Sequence, residues 1–293
     1  MNICMQATTT ARLVATAAVV AASIAACSST SGQPSTPPGT PTSAAAASPI
    51  SVPFTSQPSG TVNLTWNPQT RGVSAELHMV GFTPGSAHAM HIHSGSCADQ
   101  GAVLVPFPDV VADQAGSINA TVISSQPAPN GLAPGTLLNI HLAPSEELGS
   151  PGSLGYTPIS CGDITSAAPA TLTMVPPPPG GQRQGSASLT YDAGNKTVTV
   201  KSTASGLAAG SSHAEHIHLG SCSAQGAVEY PLNDLVASPT GTAETTTVIQ
   251  NVAQTPPATG WYLNIHLGSA SQIEQDGKPT LYYQPILCGD IGA

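Results

Sequence analysis

Positive charge is scarce in this sequence: six Lys and Arg stand against fifteen Asp and Glu, a formal net charge of −9, and charged residues make up only 7% of the chain. A broad basic face able to neutralise a phosphate backbone is excluded, and with it nucleic acid as a partner. Aromatic residues are equally few, at 4%. One large core is therefore not expected; Ala, Val, Leu and Ile can fill two small ones, with help from disulfides or metal. No segment sustains a helical period, and 28 Pro with 29 Gly argue against a helical bundle. Gly-x-Ser-x-Gly and phosphate-binding glycine loops are missing, and the acids Glu146, Glu147, Glu215 and Glu229 are scattered. No catalytic residue is assigned on these grounds.

What is present begins with an address. Residues 1–26 hold Arg12, no acid, and an apolar run at 13–26, which is short for a membrane span of about 20 residues and reads as a secretory signal peptide. The run ends in Ile24-Ala25-Ala26-Cys27, which resembles the bacterial lipobox. That resemblance implies cleavage before Cys27, a lipid on its thiol, and an exported protein anchored to a membrane of the bacterial cell envelope. Residues 27–59 are almost entirely Ser, Thr, Pro, Ala, Gly and Gln, a composition that buries too little apolar surface to order itself. They read as a disordered tether spanning about 30 Å as a flexible coil.

Self-comparison places residues 60–142 over 185–267 at a constant offset of 125. HAMHIHSGSCADQGAV meets HAEHIHLGSCSAQGAV, LLNIHL meets YLNIHL, and PISCGDI meets PILCGDI two residues later. The chain is therefore expected to be all-β, with two tandem domains at 60–164 and 185–293 joined by a Pro-rich linker at 165–184. Short strands separated by Gly and Pro turns suggest a Greek-key β-sandwich or flattened barrel for each copy. Trp66 and Tyr191 occupy matched strand positions and read as core. The Met90/Glu215 position reads as solvent-exposed, and His78, the one histidine without a twin, as a surface strand residue.

Of six cysteines, Cys4 falls in the signal, Cys27 is the lipid site, and each repeat keeps two: Cys97 with Cys161, and Cys222 with Cys288. One disulfide per domain is the economical pairing; pairing across the repeats would break their symmetry. Eight histidines form four repeat-matched pairs: His88/His213, His91/His216, His93/His218 and His141/His266. On a strand, positions i and i+2 point to one face about 6.7 Å apart, which two imidazoles can close onto one ion at about 2.0 Å each. His141, in the strand-like run LLNIHL, would supply a third nitrogen from a neighbouring strand and give a site suited to copper or zinc. The bland alternative is a set of core histidines that hydrogen-bond inside a sandwich.

HAMHIHSGSC, the following ADQGAVLVP, the later NIH and the closing CGDI resemble the copper/zinc superoxide dismutases, whose pattern runs HGFHxH, GC, GxHFNP, VVH and CGVI. The likeness covers about 60–164 and 185–292. It implies a superoxide dismutase-like Greek-key barrel, with His91, His93 and His141 at copper-ligand positions, His88 supporting them, and Cys97 bonded to Cys161. In the second copy it implies the same of His216, His218, His266, His213, Cys222 and Cys288. The departures are specific. Val103 and Val228 take the place of the copper–zinc bridging histidine, no histidine lies between His93 and His141 or between His218 and His266, and Pro158 and Pro285 stand where the family has arginine. Zinc is not expected, although Asp109 and Asp234 resemble the aspartate of the zinc loop. The short loops and NIHL strand also resemble chordin-type CHRD domains, a family of extracellular modules.

Two functions follow. The first is a copper-binding lipoprotein with weak or no superoxide dismutation, its partners being superoxide or copper ions and, through Cys27, the membrane. The second is a CHRD-like adhesion or envelope structural module without metal, whose protein partner the sequence does not name.

Overall fold

A computed structural model describes residues 48–177, 183–252, 255–256 and 259–292. The signal peptide, Cys4, Cys27 and residues 27–47 of the expected tether lie outside them. The described chain is all-β apart from two short 3-10 turns, and no helix in it is long and apolar enough to cross a membrane.

Strands alternate apolar and polar residues, as half-buried sheets require. Two precede the first repeat, β1 (Ile50–Pro53) and β2 (Thr55–Ser56). The N-terminal half then runs β3 (Ser59–Trp66), β4 (Val73–Val80), β5 (Ala87–His88), β6 (Met90–Ser96), β7 (Asp99–Pro106), β8 (Val110–Val111), β9 (Ile118–Ile123), β10 (Thr136–His141) and β11 (Pro158–Ile164). After β12 (Ala170–Met174), the C-terminal half repeats the series as β13 (Gln184–Asp192), β14 (Thr197–Ser205), β15 (Ser212–His213), β16 (Glu215–Ser221), β17 (Ala224–Pro231), β18 (Leu235–Val236), β19 (Ala243–Ile249) and β20 (Trp261–His266). A small ribbon, β21 (Glu274–Gln275) with β22 (Lys278–Pro279), precedes β23 (Pro285–Ile291).

The N-terminal half has one sheet in the order β12-β3-β4-β9 and another in the order β11-β10-β6-β7. The C-terminal half has β1-β13-β14-β19 and β17-β16-β20-β23-β2. All pairings are antiparallel, and each half encloses its own apolar cluster: Val62, Leu77 and Ile140 in the first, Ala187, Val200 and Ile265 in the second. Trp66 and Tyr191 pack against these clusters, and His78 is exposed.

Two segments differ from the sequence expectation. Residues 50–56, placed in the tether, form strands, because Ile50, Val52 and Phe54 alternate with Ser51, Pro53 and Thr55; Val52 is fully buried. Residues 170–174, placed in the linker, form β12, with Leu172 and Met174 facing inward. The two strands occupy the same place in opposite halves. Leu172 lies opposite Val62, and Val52 lies opposite Ala187, the residue 125 further on. Thus β12 closes the half that precedes it, while β1 and β2, at the start of the described chain, close the half at its end, with Thr55 opposite Cys288.

A third difference concerns Met90 and Glu215, which are both buried. The backbone alternates, so one side of β6 or β16 carries the histidines and the other faces the core; Met90 and Glu215 fall on the core side. Glu215 hydrogen-bonds the buried Ser202 hydroxyl there.

Candidate metal centre

Alternation in β6 and β16 puts His91 with His93, and His216 with His218, on the face away from the core. Strand β10 lies beside β6 with Asn139 opposite His91 and Leu137 opposite His93, and His141 follows at its end. The same register in β16 and β20 sets Asn264 opposite His216 and Tyr262 opposite His218. In each half one nitrogen from each of three histidines lies within 4.8 Å of the others, for His91, His93 and His141 and for His216, His218 and His266. Ring centroids are 5.2–5.7 Å apart in the first group and 5.0–5.9 Å in the second.

Main-chain carbonyls set the tautomers. His93 and His218 each donate from Nδ1 to a carbonyl at 3.0 Å, that of Gly101 and of Gly226 respectively. His141 donates from Nδ1 to Tyr156 O at 2.7 Å, and His266 to Tyr283 O at 2.5 Å. A carbonyl can only accept, so these four rings carry their proton on Nδ1 and present a lone pair at Nε2. Buried and without a hydrogen-bond partner are His91 Nδ1, His141 Nε2 and His218 Nε2. In the second group His216 Nδ1 lies 3.2 Å from His266 Nε2. The first histidine of each group thus turns Nδ1 inward and the others turn Nε2 inward.

Burial keeps the rings neutral. Desolvation lowers His141 and His216 to about 4 and His266 to about 3, helped by the neighbouring imidazoles, and it lowers His91, His93 and His218 as well. Neutral imidazole is the form that ligates, so each group is ready near neutral pH to accept a cation without first losing protons from the rings.

The supporting shell is repeated too. Cys97–Cys161 and Cys222–Cys288 are disulfides, which fits an oxidising, extracytoplasmic compartment. Each closes a long loop, with sequence separations of 64 and 66, worth roughly 4 kcal/mol in the chain-entropy model. Cys161 and Cys288 sit opposite Asn139 and Asn264. Cys97 N–H and Cys222 N–H donate to Asp163 and Asp290 at 2.7 Å. The pinned loop is the one that brings the Gly101 or Gly226 carbonyl to its histidine.

His88 and His213 do not point a nitrogen into the groups. Each donates from Nδ1 to the carbonyl of His141 or His266 at 2.9 Å, and its Nε2 lies 2.6 Å from Ser86 or Ser211 Oγ. They hold the main chain that carries the third histidine. Asp109 and Asp234 also lie apart, accepting from the backbone of Ser145 and Ala270. Val103 and Val228, opposite His93 and His218, are each 42% exposed.

Several contributors have no role in the sequence reading. Tyr156 and Tyr283 pack their rings on His141 and His266 at 4.6 and 4.5 Å; their matched place two residues before each PIxCGDI run is the signal that marks them. Tyr262 stacks on His218 at 4.9 Å where the other half has Leu137, and burial raises its phenol. Gln100 accepts from Asn139 Nδ2 and sets its amide nitrogen against the His93 ring, 3.2 Å from Nδ1. Its counterpart Gln225 turns away, leaving both polar atoms of the Asn264 side chain buried and unpartnered.

Residues 167–272 match the CHRD domain family. The match begins just before β12 and takes in the second HIH strand and its NIH partner. No curated protein matches the chain.

Proposed function

We propose that the chain holds two tandem copies of a superoxide dismutase-like, CHRD-like module, built on residues 60–164 and 185–293, the first completed by β12 and the second by β1 and β2. Each would bind one copper ion, through His91, His93 and His141 or through His216, His218 and His266, in an exported protein held at a membrane by lipid on Cys27. The observation that carries this reading is the convergence of ring nitrogens, two of the three in each group belonging to rings whose Nδ1 is already tied to a carbonyl. Burying an unpartnered polar nitrogen costs free energy, and a cation at their centre removes that cost for the whole group. Three imidazoles with an open position suit copper, which lies above its neighbours in affinity for nitrogen ligands and as Cu(I) accepts three of them.

Bound copper would supply a one-electron couple. The chain's own residues make rapid superoxide turnover unfavourable. Val103 and Val228 offer no imidazole to carry a proton at the bridging position, and the net charge of −9 opposes an incoming anion. Dismutation is therefore expected to be weak or absent, and copper holding the main role. The CHRD match supports a second reading, a structural or adhesive module in which the histidines only brace the outer face of a sheet.

Copper titration of the purified chain separates the two. Two ions per chain are expected, falling to one in His91→Ala and to one in His216→Ala, and a pulse-radiolysis rate far below that of a full superoxide dismutase. No uptake at micromolar free copper would leave the structural module standing.

A further inference from the structure

The two halves touch through different faces. From the C-terminal half comes the tip of the β16–β17 hairpin: Gln225 donates from its backbone N–H to Ala115 O at 3.1 Å and from Nε2 to Phe82 O at 2.8 Å. From the N-terminal half comes the turn at 113–117, where Ser117 Oγ donates to Ser223 O at 3.2 Å. Joining a tip to a turn is a head-to-tail contact. Because the halves repeat, it leaves one tip and one turn over: the β6–β7 tip at 96–100 and the turn at 238–242.

Both leftover faces keep the chemistry of the used ones. In the occupied turn, Asp113 Oδ1 accepts from Ala115 and Ser117 N–H, both at 2.9 Å. In the free turn, Ser238 Oγ accepts from Thr240 and Thr242 N–H at 3.3 and 3.2 Å. Gly116 and Gly241 have left-handed φ of 74° and 75° and pass their carbonyls to Phe82 N–H and Leu207 N–H at 3.0 and 3.1 Å. Thr240 O, Leu207 O and the Thr242 hydroxyl therefore stand where Ala115 O, Phe82 O and the Ser117 hydroxyl stand. On the free tip, Gln100 repeats Gln225, and the Ala98 carbonyl takes the place of Ser223 O. Charge agrees as well: the free tip carries Asp99, and the free turn, Ser-Pro-Thr-Gly-Thr, has no acid to repel it. One internal anchor has no counterpart, since Gln284, which donates to Gly81 O at 2.8 Å, is replaced by Thr157.

We propose that the chain associates with further copies of itself head-to-tail, the tip at 96–100 of one copy docking on the turn at 238–242 of the next. Such a contact joins two different patches, so it builds rings or open strings instead of two-fold dimers. With fewer anchors than the internal contact it is weak in free solution and gains where copies are held close together. Docking draws Gln100 off Asn139 and the His93 ring, as Gln225 has been drawn off Asn264, so the N-terminal histidine group senses the neighbour.

Sedimentation velocity on the metal-free full chain, from about 10 μM to about 1 mM, the range of weak complexes, tests the proposal without relying on copper. The parent should sediment faster as concentration rises. Ala98→Lys and Thr240→Lys, at exposed positions outside the internal contact, should each stay monomeric with an unchanged melting temperature. Mixing Ala98→Lys with Thr240→Glu should restore association. The His93 ring NMR signals should shift with concentration in the parent and not in either Lys variant. A parent that stays monomeric to about 1 mM, or association indifferent to both Lys variants, would overturn the proposal.

Discussion

A charge at Val52 should open the sheet in which β1 pairs with β13 and leave the N-terminal half closed, although that half begins at β3, only a few residues after Val52 in the chain. Val52 is fully buried between Ala187 and the C-terminal cluster, and its neighbours Phe54 and Gln57 donate backbone N–H groups to Gly185 O and Ile286 O, both at 3.0 Å. Val52→Asp removes an apolar side chain and buries an unpaired carboxylate, a combination that costs about 3–5 kcal/mol. The reciprocal substitution, Leu172→Asp, should do the same to the other half, because Leu172 lies opposite Val62. Hydrogen exchange reads the two separately. Faster exchange is expected in β13 and β23 for Val52→Asp, and in β3 and β11 for Leu172→Asp. Exchange that rises in β3 for Val52→Asp and in β13 for Leu172→Asp would mean that each leading strand serves the half that follows it.

Replacing Glu215 and Ser202 by the Met and Leu of the other half should stabilise the metal-free protein near neutral pH, and the gain should shrink in acid. Glu215 lies in the core with only the Ser202 hydroxyl as partner and one carboxyl oxygen unsatisfied. Burial pushes its pKa up from 4.5 to about 8. The folded state therefore holds the proton after the unfolded chain has released it. Its contribution is fully present below pH 4.5 and is lost as pH rises to about 8, a loss of about 3 kcal/mol by pH 7. The buried histidines act in the opposite sense: their folded values are depressed, so their contribution is present above 6.5 and lost as pH falls towards about 4. They are common to both proteins and cancel in the difference. Denaturant unfolding at pH 5 and pH 8 should show the Ser202→Leu/Glu215→Met variant gaining more over the parent at pH 8. An equal gain at both would show that Glu215 is not held protonated.

Both results bear on why some of this molecule was legible and some was not. The histidine groups were readable because a strand has a period of two, so HIH must place two rings on one face, and the repeat marked His141 and His266 by copying them. The same period decides Glu215: beside the histidines in sequence it reads as solvent-exposed, yet one step along a strand changes the face, and the core receives it. Carbonyls that fix the tautomers, from Gly101, Tyr156, Gly226 and Tyr283, carry no sequence letter at all. The two glutamines are identical in sequence and opposite in conformation, because only one of them meets the other half.

By itself, then, the sequence determined an all-β chain with an internal sequence repeat at an offset of 125, two cysteines per copy, and which side chains share a face. These follow from local rules: alternation fixes the face of each residue, and a copied segment folds as its twin does. The tertiary structure alone decided which strand closes which half, which glutamine covers its histidines, and which carbonyl each ring addresses. Residues 50–54 and 170–174 alternate in the same way, and either could complete either sheet as far as local pattern goes; the choice between them is made by long-range packing, which no short stretch of sequence contains.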